Sequence, residues 1–179
     1  MATTYQVIAS TTVGSGGIQP IEFTSIPATY TDLLLKISAR TDFNDNGRNY
    51  VRFRFNSSSS NIYSYKWLHG YDANTIGGGT DSAINAGHIL IVCANDATAN
   101  TFSNNEMYIP NYAGSDNKSL LITGVAENNT SNFYSLSQSA ATWGSSSAIT
   151  SITLYAVGVS STQEFVQHTT ATLYGIKNS

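Results

Sequence analysis

The residues of this chain whose types could do chemistry are few and scattered. The single cysteine, Cys93, follows His88-Ile89-Leu90-Ile91-Val92. A nucleophilic cysteine needs exposure and a depressed thiol pKa. This one lies in the most apolar stretch of the chain and reads as a small buried hydrophobe. His69, His88 and His168 are far apart and fit no metal-ligand spacing; they read as surface or strand-end residues. Asp42-Phe43-Asn44-Asp45-Asn46-Gly47 opens like a calcium loop of the D-x-N-x-N-G type. Such a loop needs a bidentate carboxylate at its twelfth position, and that position is Phe53. The plainer reading is a hairpin loop whose Asn and Gly supply left-handed conformations.

Hydrolysis of a glycoside needs two carboxylic groups flanking one bond. The chain has four Glu (Glu22, Glu106, Glu127, Glu164) and seven Asp, and no motif selects a pair. Gly77-Gly78-Gly79-Thr80 lacks the lysine of a phosphate loop and does not lead from a strand into a helix, so it reads as a loop tip. The nucleophile-elbow pattern Gly-x-Ser-x-Gly is absent. No catalytic, cofactor or metal residues are therefore expected, and the chain is not expected to be an enzyme.

One segment does suggest a surface. Tyr63, Tyr65, Trp67 and Tyr71 lie near Arg52 and Arg54 in sequence. Flat rings with Asn and Asp around them suit a sugar-binding surface. The same residue types anchor protein interfaces. A third reading puts about half of these rings in the core, on alternating strand faces.

These residues must be positioned by β-structure. No segment holds the apolar spacing of a helix over three turns, whereas β-branched and aromatic residues, including 11 Tyr and 7 Phe, are plentiful. Strands are expected at 5–10, 18–23, 33–40, 50–55, 63–71, 88–94, 107–109, 120–126, 133–139, 149–157 and 170–177. Pro20 suggests an edge position for the second. Residues 50–55 alternate cleanly, with Val51, Phe53 and Phe55 on one side. The nearly all-apolar 88–94 is expected to be central and buried on both faces. The first and last strands could pair. The sum is an all-β chain: a single antiparallel sandwich domain of about ten strands. The polar stretches 41–49, 56–61, 72–87, 95–105 and 139–147 read as long loops, a length usually functional or ordered by a partner.

Composition narrows the partners. The 179 residues include 24 Ser, 21 Thr and 17 Asn but only 11% charged residues, with four Lys, four Arg and a net charge of −3. Nucleic-acid binding needs a dense cationic field, which is missing. No apolar run approaches the roughly 18 residues of a membrane span, and the first residues carry no signal-peptide pattern. Neither nucleic acid nor membrane is an expected partner.

Four segments resemble small structural proteins of tailed bacteriophages: Phe23-Thr24-Ser25-Ile26-Pro27-Ala28-Thr29-Tyr30-Thr31-Asp32-Leu33, Asn111-Tyr112-Ala113-Gly114-Ser115-Asp116-Asn117-Lys118, Ser147-Ala148-Ile149-Thr150-Ser151-Ile152-Thr153-Leu154, and Thr170-Ala171-Thr172-Leu173-Tyr174-Gly175-Ile176-Lys177. Residues 56–105 carry no part of this likeness. The resemblance implies a jelly-roll-like sandwich, a location in the virion after assembly in the host cytoplasm, and no catalytic residues. Low charge, many hydroxyls and amides, long loops and the lack of a long stem favour a capsid decoration or cement protein on the major capsid protein or other virion proteins, and threefold lattice positions favour a homotrimer. The alternative is a tail- or head-fibre tip that recognises a host glycan.

Overall fold

The structure is a computed structural model that describes residues 4–44, 47–71, 75–130, 133–157 and 163–177. Among these residues the secondary structure is twelve β-strands and no helix. They are β1 (Tyr5–Thr12), β2 (Ile21–Phe23), β3 (Asp32–Ser38), β4 (Arg48–Phe55), β5 (Tyr63–Tyr71), β6 (Thr75–Ile84), β7 (Gly87–Cys93), β8 (Asn104–Ile109), β9 (Lys118–Thr130), β10 (Phe133–Trp143), β11 (Ile152–Ala156) and β12 (Thr170–Ile176).

Eight strands form one sheet in the order β1-β12-β3-β8-β9-β10-β5-β6, and four form a second in the order β2-β11-β4-β7. From β2 onward the chain passes repeatedly between the sheets, which is the jelly-roll arrangement. All strand pairings are antiparallel, and β1 does pair with β12.

Period-two alternation explains the layering. Val51, Phe53 and Phe55 of β4 are fully buried while Tyr50, Arg52 and Arg54 are partly exposed. Phe55 packs edge-on to Trp143 of β10, with ring centroids 5.4 Å apart, and Phe53 meets Tyr63 of β5 at 6.0 Å. Leu33, Leu35, Met107, Ile122, Leu154 and Leu173 extend the same core.

The four segments that carry the phage resemblance meet one another. The Tyr112 hydroxyl donates to the carbonyl of Pro27. Ile149 N–H donates to Tyr112 O at 3.0 Å, and Ile26 N–H to Thr150 O at 2.9 Å. Tyr30 lies over Gly175, where an added Cβ would come within 2.3 Å of the ring. These residues are a mutual scaffold, which accounts physically for their pattern.

Four expectations are corrected. First, the expected loop at 72–87 is largely strand: β6 occupies Thr75–Ile84 of it, while residues 72–74 lie outside the described residues. Its glycines weaken it as an isolated strand, and it forms by pairing along β5. Second, β7 is an edge strand of the small sheet, not a central one. It is nonetheless covered on both sides, because Val92 joins the main core and Ile91 and Cys93 pack with Ala97 and with Ala126 of β9. Third, 95–105 is ordered from within. The Arg40 guanidinium donates to the carbonyls of Asn95, Ala97 and Thr98 at 2.8–2.9 Å and of Thr101 at 3.3 Å. The second strand is also shorter than expected, beginning at Ile21, while its edge position stands.

Candidate functional site

Beyond the main core, the sheets enclose a cleft where β5, β6 and β10 face β4 and β7. Strand alternation turns Tyr65, Trp67 and His69 of β5 toward it. In register with Trp67 and His69 stand Ser139 and Ser137 on β10 and Gly79 and Gly77 on β6. The glycines make room for these rings: an added Cβ would come within 2.8 Å of the Trp67 indole at Gly79 and 2.7 Å of the His69 imidazole at Gly77, so the rings would have to shift. Freed of side chains on that flank, the two rings stack with centroids 4.6 Å apart. From the small sheet come Tyr50 and Ile91, which pair across β4 and β7, and His88. With Asp81 of β6 these side chains line a pocket of about 240 Å3.

Its polar groups form a directed chain. Arg52 Nε donates to His88 Nε2 at 2.8 Å. The His88 proton therefore sits on Nδ1, which donates to the Tyr65 hydroxyl at 3.1 Å. Tyr65 in turn donates to Asp81 Oδ2 at 2.5 Å. Burial first, and Arg52 second, push the His88 pKa down to about 4, against the opposing pull of Asp81. Burial, reinforced by Asp81, pushes the Tyr65 hydroxyl above its ordinary range. Burial and then Arg48 lower His69. Both imidazoles are thus neutral at pH 7.

The floor on β10 inverts the usual pattern. Ser135, Ser137 and Ser139 are buried, at 0, 7 and 4% exposure, while Leu136 between them is 65% exposed. The Ser135 hydroxyl is buried with no hydrogen-bond partner among the described residues. Those of Ser137 and Ser139 also have none among the described residues, and both serines line the cleft.

The six residues singled out from sequence are dispersed. Tyr65 and Trp67 line the cleft and Arg52 braces it through His88. Tyr63 is core, 1% exposed, its hydroxyl accepting from Phe55 N–H at 2.9 Å. Arg54 lies 5.2 Å from the centroid of the Tyr155 ring and donates to Asn85 O. Tyr71 ends β5, and its side chain lies outside the described residues. Tyr50, His69, Asp81, His88, Ser137 and Ser139 were not selected from sequence. The signals were a glycine run that strips one flank of an aromatic strand and a serine repeat of period two.

The other chemical candidates stay separate. Cys93 is fully buried, and burial raises its thiol pKa. Asp42 accepts from Glu164 N–H at 2.8 Å, and Gly47 adopts a φ of 80° while donating to Asp96 Oδ1 at 2.9 Å. Asp45 and Asn46 of that motif lie outside the described residues. Among the described residues no three His, Cys, Asp or Glu gather to hold a metal ion. Asp81 is the one carboxylate among the cleft's described lining residues.

A second surface lies on the outer face of the large sheet. Leu68, Ile76, Leu121, Val125 and Leu136, on four adjacent strands, are 41–88% exposed. Leu136 stands opposite Gly70 and Val125, and Ile76 opposite Gly70, so Val125 and Leu136 are direct neighbours and Ile76 lies one strand beyond Gly70. No protein-family model, curated protein or solved structure matches this chain.

Proposed function

We propose that this chain is a structural protein of a tailed-phage virion, most specifically a capsid decoration protein that docks on the coat lattice. The observation that carries the reading is the outer apolar face formed by Leu68, Ile76, Leu121, Val125 and Leu136. A cluster of exposed large apolar side chains on one sheet face marks interaction sites. A coat lattice supplies the complementary partner, and symmetric copies would dock as a closed homotrimer. The sparsely charged, hydroxyl- and amide-rich exterior supports this, because uncharged polar groups are less costly to desolvate than ions. The four mutually packed segments that resemble phage structural proteins support it too.

The test is a cryo-EM map of the particle, with the binding of purified chain to undecorated heads. Many copies on the head and loss of head binding in Leu136→Asp are the expected results. Absence from the particle overturns the reading. A second reading, a fibre tip that recognises a host glycan, is favoured by the aromatic cleft. It calls for few copies per particle, located on the tail or on head fibres.

A further inference from the structure

Three properties of the cleft constrain its ligand. The first is size: about 240 Å3 falls below the roughly 300–1,000 Å3 of pockets for drug-sized ligands, so the occupant is a single small ring. The second is hydrogen bonding. Ser137 and Ser139 are more than nine-tenths buried, face the cleft and have no partner among the described residues. Unlike that of Ser135, their hydroxyls are not sealed inside the protein, so they are open to a ligand in the cleft, and a hydroxyl can donate or accept. Two strand residues apart, they stand roughly 7 Å from each other, within reach of one ring. Asp81 uses Oδ2 for Tyr65, and its Oδ1 has no partner among the described residues. The third is the aromatic wall: Tyr50 and Trp67 line the cleft, with His88 stacked between Tyr50 at 6.0 Å and Tyr65 at 5.0 Å behind it, and such rings suit carbon-bound hydrogens.

We infer that this cleft binds a neutral sugar as one pyranose ring, with its hydroxyls on Ser137, Ser139 and Asp81 and its apolar face against the aromatic wall. An anionic sugar would meet the Asp81 carboxylate. A quaternary ammonium would suit the rings and Asp81 but would leave both serine hydroxyls without partners. The inference deepens the glycan reading above and names its site. Its failure would leave the docking of the outer face untouched, because that is read from particle location.

The experiment titrates the purified full chain with methyl glycosides of glucose, galactose, mannose and N-acetylglucosamine, followed by ligand-observed NMR and calorimetry. N-acetylneuraminic acid and choline serve as charged probes. At least one neutral glycoside should saturate with a millimolar Kd. Asp81→Asn should weaken it about tenfold, equivalent to about 1.4 kcal/mol. Ser137→Ala combined with Ser139→Ala should abolish binding while leaving the melting temperature essentially unchanged, since neither hydroxyl makes a hydrogen bond among the described residues. That divergence separates a binding role from a structural one. No saturation by any neutral glycoside, tighter binding of choline or neuraminic acid, or unchanged affinity in the double serine variant would each overturn the inference.

Discussion

Arg52 donates from Nε to Nε2 of His88 at 2.8 Å, and this contact fixes the protonation of the whole cleft. An imidazole that accepts at Nε2 is neutral and carries its proton on Nδ1. That proton faces Tyr65, whose own proton faces Asp81. Charging His88 would set an imidazolium against the guanidinium and abolish the Arg52 contact, because both facing nitrogens would then be donors. The cleft is therefore built for one protonation state.

Stability should follow from this. His88 titrates at about 4 in the folded chain, against an ordinary 6.5. As pH falls, the unfolded chain takes up this proton first. The contribution is fully present above about pH 6.5, declines between about 6.5 and 4, and levels off below. At about 1.4 kcal/mol per pH unit, the loss amounts to about 3 kcal/mol. Arg52 and Asp81 are the charged groups that act on the ring, with opposite signs. Urea unfolding at pH 7, 5 and 4 measures the slope, and the difference from His88→Gln isolates this residue from the carboxylates. A His88 NMR titration near 6.5 would defeat the prediction.

Arg40 should be the residue that holds the 95–103 segment in place. It is 8% exposed and donates to four carbonyls of that segment. Hydrogen bonds to a charged group contribute about 1.5–3 kcal/mol each, and partial relaxation recovers some of that. Arg40→Met should cost about 3 kcal/mol or more and raise amide exchange across residues 95–101. Arg40→Lys should not restore protection, because one ammonium lacks the planar fork. Unchanged exchange in the Met variant would mean that the segment orders itself.

How far the sequence disclosed this molecule depends on the range of the forces involved. Alternation in Val51, Phe53 and Phe55 is local and reads directly as a strand face. Tyr65 and Trp67 stand out as aromatics of one strand whose rings the sequence leaves open to surface or core. The strand β6 was hidden because Gly77, Gly78 and Gly79 have no β-preference of their own. Their strand conformation comes from β5, whose Trp67 and His69 rings occupy the space that side chains would fill. Asp81, His88 and Ser137 meet only through the order β10-β5-β6 and the approach of β7, a non-local outcome that spacing does not encode. On β10, simple alternation would send Leu136 inward and the serines outward, and the fold does the reverse.

Gly175 should tolerate no side chain while Tyr30 is present. Its added Cβ would lie 2.3 Å from the ring, closer than real contacts allow, and Tyr30 is held in turn by its hydroxyl donating to Gln6 at 3.1 Å. Overpacking of this kind costs about 1–3 kcal/mol. Gly175→Ala should therefore destabilise by that amount in wild type and by much less in a Tyr30→Leu background. Chemical denaturation of the four members of the cycle gives the coupling energy. Additive effects would show that the ring moves aside freely.

Lys118 should stabilise the fold as a hydrogen-bond donor more than as a charge. It is 2% exposed, and its Nζ donates to Gly114 O at 2.8 Å, to Asp116 O, and more distantly to Ser145 O. The ammonium also lies 5.9 Å from the centroid of the Trp143 ring, and burial lowers its pKa. Lys118→Met keeps most of the packed stem but strips donors from these carbonyls, which solvent can partly replace in this turn. About 2 kcal/mol of destabilisation is expected, a fall of roughly 4–8 °C in Tm for a chain of this size. Lys118→Ala loses the stem as well and should fall further. If the Met variant melts with wild type, the carbonyl contacts contribute nothing, and the stem packed on Trp143 carries the whole effect.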